Sequence, residues 1–232
     1  MSVIFECRDL VKSYGKVTAL KGISLQLESG RIVGLLGPNG SGKTTLIKLA
    51  NRLLQPTSGE LRIAGEAPGV KTKAAIAYLP DKDFLPDWMK TDALLKFYGD
   101  FFPDFDHQRA KEMLQSLNIP ANQPLKKMSK GTREKVQLIL IMSRRAQVYL
   151  LDEPIAGVDP AARDYILRTI LNNYEENALV LISTHLIADV ESVLDEAVFL
   201  KEGQIVLHKS TDEIREETGK SVDEYFREVF RC

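Results

Sequence analysis

Two hydrophobic periods take turns along this chain. Ile23, Leu25 and Leu27 alternate with Ser24 and Gln26, the two-residue repeat of a strand with one wet face. Together with residues 3–8 (VIFECR), the segment 18–27 predicts an antiparallel sheet, with Tyr14 in the turn between its strands. The unbroken apolar run Ile32-Val33-Gly34-Leu35-Leu36 predicts a buried strand, and residues 46–53 carry apolar positions at helical spacing. A turn at Pro56-Thr57-Ser58-Gly59 precedes a short strand over 60–64, and another short strand is expected over 74–79. The same alternation returns later, with a buried strand ending at Asp152-Glu153, a helix over 160–174, a strand over 178–182 and a helix over 186–194. A hairpin over 197–207, turning at Glu202-Gly203, and two charged helices near 210–217 and 221–229 follow.

The middle of the chain breaks this rhythm. Helical patterns run over 91–100 and 106–117, then a polar linker over 118–127, then a nearly all-apolar helix over 135–145. Phe84, Trp88, Phe97, Tyr98, Phe101, Phe102 and Phe105 crowd the first part of this insertion. Some of these rings must fill a local core; a concentration this dense also suits a groove that grips a partner. The predicted fold class is α/β, a core with a parallel sheet, an N-terminal antiparallel β subdomain and an inserted helical subdomain. The core takes about residues 1–82 and 146–209, the helical subdomain about 83–145, and short C-terminal helices about 210–232.

Composition adjusts this picture only at its edges. A length of 232 residues suffices for one such domain with a sizeable core. The formal net charge of −1 gives no general electrostatic case for nucleic acid or an anionic membrane surface. No apolar run approaches the ~18 residues that span a bilayer, and the N-terminus has no secretory pattern. A cytoplasmic protein is expected, and Cys7 and Cys232, which lack metal-ligand spacing, read as reduced thiols.

The chemistry is concentrated where the first buried strand meets its helix. Gly37-Pro38-Asn39-Gly40-Ser41-Gly42-Lys43-Thr44-Thr45 is a glycine-rich strand-to-helix loop ending in Lys-Thr. Its glycines let successive N–H groups curl around an anion, and the helix N-terminus adds partial positive charge. Lys43 can reach the β- and γ-phosphates of a nucleoside triphosphate, and the Thr44 hydroxyl can ligate Mg²⁺. Asp152, at a strand tip, suits a second hold on Mg²⁺. Glu153 suits a general base or a water-positioning role, and His185, at the tip of the next strand, suits contact with the γ-phosphate or the attacking water.

With these motifs in this order, the chain resembles an ATP-binding cassette (ABC) nucleotide-binding subunit over essentially its whole length. The resemblance implies ATP hydrolysis with ATP and Mg²⁺ bound by a P-loop NTPase core. Residues 37–45 are then the Walker A loop, 148–153 the Walker B strand, Ala156 to Asp159 the D-loop and His185 the switch histidine. It also implies that Tyr14 stacks on adenine, that two subunits pair head-to-tail, and that Ser129 and Gly131 reach the γ-phosphate held by the other subunit. Two motifs depart from the family pattern. The signature, commonly Leu-Ser-Gly-Gly-Gln, is Met128-Ser129-Lys130-Gly131-Thr132 here, and Asp81 stands where the lid loop normally has glutamine after Tyr78-Leu79-Pro80. Asp81 is expected to sense Mg²⁺ through a water, being one methylene shorter. The chain is also similar to the ATPases of bacterial ABC-2-type exporters, which implies a separate membrane permease docked on the aromatic face of the helical insertion. It would be peripheral on the inner face of the cell membrane, with no nucleic-acid partner. The alternative is a soluble cassette ATPase acting on nucleic acid or in translation.

Overall fold

The computed structural model describes residues 2–230, apart from the side chains of residues 161 and 162; Cys232 lies outside the described residues. Two long strands, β1 (Val3–Tyr14) and β2 (Val17–Glu28), form an antiparallel hairpin. They lead to β3 (Ile32–Leu36), the glycine-rich loop and α1 (Lys43–Ala50). Next come β4 (Ser58–Ile63), the short α2 (Val70–Ala75) and β5 (Ile76–Leu79). The insertion holds α3 (Thr91–Phe101), α4 (His107–Ser116) and α5 (Lys130–Met142). The core resumes with β6 (Val148–Asp152), α6 (Pro160–Asn173), β7 (Leu179–Thr184) and α7 (Ile187–Val190). The hairpin β8 (Glu196–Lys201) and β9 (Gln204–Ser210) precedes α8 (Thr211–Thr218) and α9 (Val222–Val229).

One sheet has the order β2-β1-β4 and is antiparallel; the other has the order β5-β6-β7-β3-β8-β9. All of its neighbours pair parallel except β8 with β9. Its parallel strands β3, β6 and β7 are buried on both faces, which is why they read as unbroken apolar runs, whereas the edge strand β9 keeps an exposed face. Val33, Leu35, Val148, Leu150, Leu179 and Leu181 face a core shared with the antiparallel sheet and α1. Ile32, Leu36, Tyr149, Leu151, Val180 and Ile182 face the other core, shared with the helical insertion and α6. β3 and β6 are both inner strands, and their C-terminal tips lie at the same edge of the sheet. Open parallel sheets bind ligands at that edge.

Arg144 joins the insertion to this framework. It is fully buried, donates from Nε to Asp104 Oδ1 at 2.6 Å, and donates to the carbonyls of Ile76 (3.2 Å) and Ala74 (2.6 Å). Its guanidinium also stacks 3.8 Å from the centre of the Phe102 ring. A buried cation is tolerated when it is paired and hydrogen-bonded in this way. The aromatic crowd divides around it. Tyr98 and Phe105 are buried, whereas Trp88, Phe101, Phe97 and Phe84 remain exposed.

Several boundaries differ from those the sequence pattern predicts. β1 continues to Tyr14 because a bulge at Asp9 (φ 46°) interrupts the two-residue repeat after Arg8. Tyr14 therefore closes a strand, pairing with Val17, and the turn is Gly15-Lys16. The helix expected from residue 135 begins at Lys130, because Ser129 Oγ accepts from the Thr132 N–H at 3.2 Å and caps it. That helix also stops at Met142 instead of reaching residue 145. The strand expected over 74–79 starts at Ile76, after the unanticipated α2, and the helix expected over 186–194 is the short α7 followed by a 3₁₀ turn.

Candidate active site

The loop after β3 is held from two sides. The Gly203 N–H, in the β8–β9 turn, donates to the Ser41 carbonyl at 2.9 Å, and Lys21 of β2 donates to the Gly203 carbonyl at 2.9 Å. Two glycines are sterically required. A Cβ on Gly37 would meet the Leu200 carbonyl at 2.3 Å, and Gly42 combines φ 113° with an approach of 2.8 Å to the Ala19 carbonyl. Among the described residues no side chain caps α1, so its first-turn amides are available to an anion. Pro38, Asn39 and Gly40 are exposed at the loop tip, Thr44 and Thr45 are half-buried, and Ser41 Oγ is buried with no hydrogen-bond partner.

Lys43 is folded back into this loop. Its Nζ donates to the carbonyls of Gly37 (2.7 Å) and Pro38 (3.2 Å) and lies 3.4 Å from Glu153 Oε1. Burial lowers its pKa, and Glu153 and Asp152 oppose that shift. An ammonium held by neutral carbonyls and one carboxylate can be transferred to a phosphate without losing its compensation.

Asp152 is completely buried at the tip of β6. Its Oδ1 accepts from Ser183 Oγ (2.5 Å) and Thr44 Oγ1 (3.1 Å), while Oδ2 has no partner. Burial raises its pKa against those two hydrogen bonds, and the nearby carboxylates Asp81 and Glu153 raise it further. A buried, half-satisfied carboxylate beside the Thr44 hydroxyl is chemically suited to a hard divalent cation. Among the described residues no cluster of three His, Cys, Asp or Glu side chains could hold a metal alone. Such donors suit Mg²⁺ shared with phosphates and water.

Glu153 follows with φ 51°, a left-handed conformation that costs a non-glycine residue of order 1 kcal/mol. Its N–H is bonded to the Ser183 carbonyl at 2.9 Å, and its Oε2 lies 3.0 Å from His185 Nδ1. Ser183, absent from the candidates read in the sequence, thus holds the Asp152 carboxylate and the Glu153 backbone. The signal for it lies in strand register, since β6 and β7 set Asp152 opposite Ser183. Asp81 is exposed and lines the same cleft as Asn39, Gly40, Lys43, Thr44 and Glu153.

The remaining candidates lie outside this cluster. Tyr14 is exposed, its ring 5.1 Å from Lys12 Nζ. Ser129 and Gly131 are exposed at the start of α5, apart from the residues lining the phosphate-loop cleft. The nearby Lys130 instead lines a second cleft with Asp81, Glu153 and Ala156. Asp159 is exposed just before α6, and its carbonyl accepts from the Arg163 N–H at 3.1 Å.

A glycine-rich loop under a helix N-terminus, facing a strand-tip Asp-Glu pair on a parallel sheet, defines a P-loop nucleoside triphosphatase. The family model described as ABC transporter matches residues 20–156, and the chain belongs to that family as an ATP-binding subunit with ATP hydrolysis as its activity. It is 30% identical over 217 residues to the ABC transporter ATP-binding protein YtrB of Bacillus subtilis, covering 92% of this chain and 74% of that protein. It is 28% identical to the linearmycin resistance ATP-binding protein LnrL of the same organism, over 88% of this chain and 68% of LnrL. A solved ATP-binding subunit of an ABC transporter superimposes with a TM-score of 0.89 at 26% identity, covering 98% of this chain and all of that one. No helix among the described residues is long and apolar enough to cross a membrane.

Proposed function

We propose that this chain hydrolyses ATP as one half of a dimer and drives a separate membrane permease, in the export direction. The observation that carries the dimer is the separation of Ser129 and Gly131 from the cleft that holds Lys43, Thr44 and Glu153. An exposed serine-capped helix start that does not line its own phosphate-loop cleft is available to close over the loop of a second copy. By family resemblance, residues 156–159 and Asp159 would meet at the same interface, and Tyr14 would stack on the adenine.

Within one subunit, residues Gly37 to Thr45 cradle the triphosphate and Lys43 moves from Gly37, Pro38 and Glu153 to the β- and γ-phosphates. Thr44 and Asp152 would hold Mg²⁺ directly or through water, with Asp81 adding a water-mediated contact from the lid loop. Mg²⁺ supplies neutralisation of phosphate charge. Glu153, released from Lys43, accepts a proton from the attacking water, while His185 holds the carboxylate through Nδ1.

Docking of the permease is assigned to the exposed rings of Trp88, Phe101, Phe97 and Phe84, which add apolar surface to the insertion. Export is supported by the likeness to LnrL, a protein named for resistance, and the chain would then act at the inner face of the membrane. The Glu153→Gln variant tests the central claim. It should bind ATP, lose turnover at least ~100-fold and elute as an ATP-dependent dimer. A variant that turns over normally, or stays monomeric in saturating ATP, overturns it.

A further inference from the structure

The guanidinium of Arg163 bridges two segments that the sequence keeps 31 residues apart. Its Nε donates to the Val158 carbonyl at 3.0 Å, and its NH1 donates to Asp189 Oδ2 at 2.9 Å, |i−j| being 5 and 26. Val158 belongs to the loop 156–159 that follows Glu153, and Asp189 to α7, which begins two residues after His185. Both charged side chains are partly shielded from solvent, 25% and 35% exposed.

These bonds complete a ring. From Glu153 the chain runs through Pro154 and Ile155 to Val158, crosses Arg163 to Asp189, and returns along α7 to His185. The ring closes through the 3.0 Å contact from His185 Nδ1 to Glu153 Oε2. His185 itself is exposed. Ile187 and Val190 anchor α7 in the core, and Asp189 ties the same short helix to Arg163. A planar guanidinium with two separate donors suits this task, because it fixes distance and angle together.

We propose that Arg163 is a positioning residue for catalysis: through Val158 and Asp189 it sets His185 against Glu153 and couples that contact to the position of loop 156–159. The inference rests on the reading that Glu153 and His185 act at the γ-phosphate. Loss of the bridge leaves nucleotide binding intact, since Arg163 lies outside the phosphate cradle, and disorganises the catalytic pair.

The test compares Arg163→Ala, Arg163→Lys and Asp189→Asn with the parent full-length chain, using Mg·ATP. Arg163→Ala and Asp189→Asn should each lower kcat about tenfold or more with KM for ATP and melting temperature unchanged. Arg163→Lys, which retains the charge but cannot reach both acceptors with fixed geometry, should recover only part of the loss. In a His185→Ala background, Arg163→Ala should cause no further loss, because its effect is routed through that imidazole. Wild-type kcat in both Arg163→Ala and Asp189→Asn, or a full additional loss in the His185→Ala background, overturns the proposal. If Glu153→Gln and His185→Ala themselves turn over normally, the catalytic reading fails first, a distinct outcome.

Discussion

Lys43 Nζ and Glu153 Oε1 stand 3.4 Å apart, an ion pair within the cleft that nucleotide must enter. On the mechanism proposed above, the cation that would bind phosphate and the carboxylate that would activate water are thus paired with each other. Engagement of Lys43 by phosphate would then free Glu153. This arrangement keeps a buried ammonium compensated throughout.

Lys43→Met removes the charge but keeps much of the apolar stem. Nucleotide affinity should fall about 10- to 100-fold, the loss of one or more charge-assisted hydrogen bonds. A fluorescent-ATP titration measures it, and affinity equal to that of the parent would contradict the cradle described here.

Asp81 contributes a charge where a glutamine would present a neutral carbonyl. Asp81→Asn should weaken the Mg²⁺ dependence of hydrolysis, shifting the half-saturating Mg²⁺ concentration upward at fixed ATP. An unchanged metal titration would mark Asp81 as an ordinary turn residue.

Concentration should matter as much as chemistry. If Ser129 and Gly131 complete the site of a second copy, specific activity rises with protein concentration and levels off once dimers form. Phosphate release followed across a dilution series reads this directly, and turnover independent of dilution would show each chain to be complete alone.

The insertion carries a pH signature of its own. Asp106 Oδ1 accepts the Gln108 and Arg109 N–H groups at the start of α4, and Oδ2 meets Arg145 at 2.9 Å. The Arg109 N–H first, and then the Arg145 guanidinium, hold its carboxyl below the ordinary value of 3.8. A depressed carboxylate stabilises the fold above its unfolded pKa and loses that contribution as pH falls through the folded one. Asp106→Ala should cost about 1 kcal/mol at neutral pH. The gap from the parent should narrow only in acid below 3.8, as thermal melts over that range would show.

Replacing Trp88 and Phe101 by Ser should leave basal ATPase activity within about twofold, because exposed rings contribute little to the fold. Co-purification with the proposed permease partner should be lost. Retained binding by the double variant would place the docking surface elsewhere.

The phosphate loop was the most legible part of the chain because backbone geometry leaves little choice at Gly37 and Gly42, so the constraint is written in residue type. The parallel strands were legible for a related reason: burial on both faces demands unbroken apolar runs. Arg144 and Arg163 carry no comparable mark. Each bonds acceptors that only tertiary packing brings within reach, Ala74 and Ile76 for Arg144 and Asp189 for Arg163, which no local spacing announces. Ser183 is intermediate, since its role becomes visible once β6 and β7 are set in register. The start of α5 was obscured by its polar first turn, although Ser129 has the chemistry of a cap.

Arg144 has a mechanical consequence. One guanidinium is bonded to the insertion at Asp104 and to the backbone at Ala74 and Ile76, where α2 gives way to the strand leading into Tyr78 and Asp81. The insertion cannot be pulled away there without stranding a buried cation, so the joint behaves as a hinge pin and not as a slack tether. With the permease docked on Trp88 and Phe101 as proposed, that joint is where force on the insertion would reach the strand that leads to Asp81.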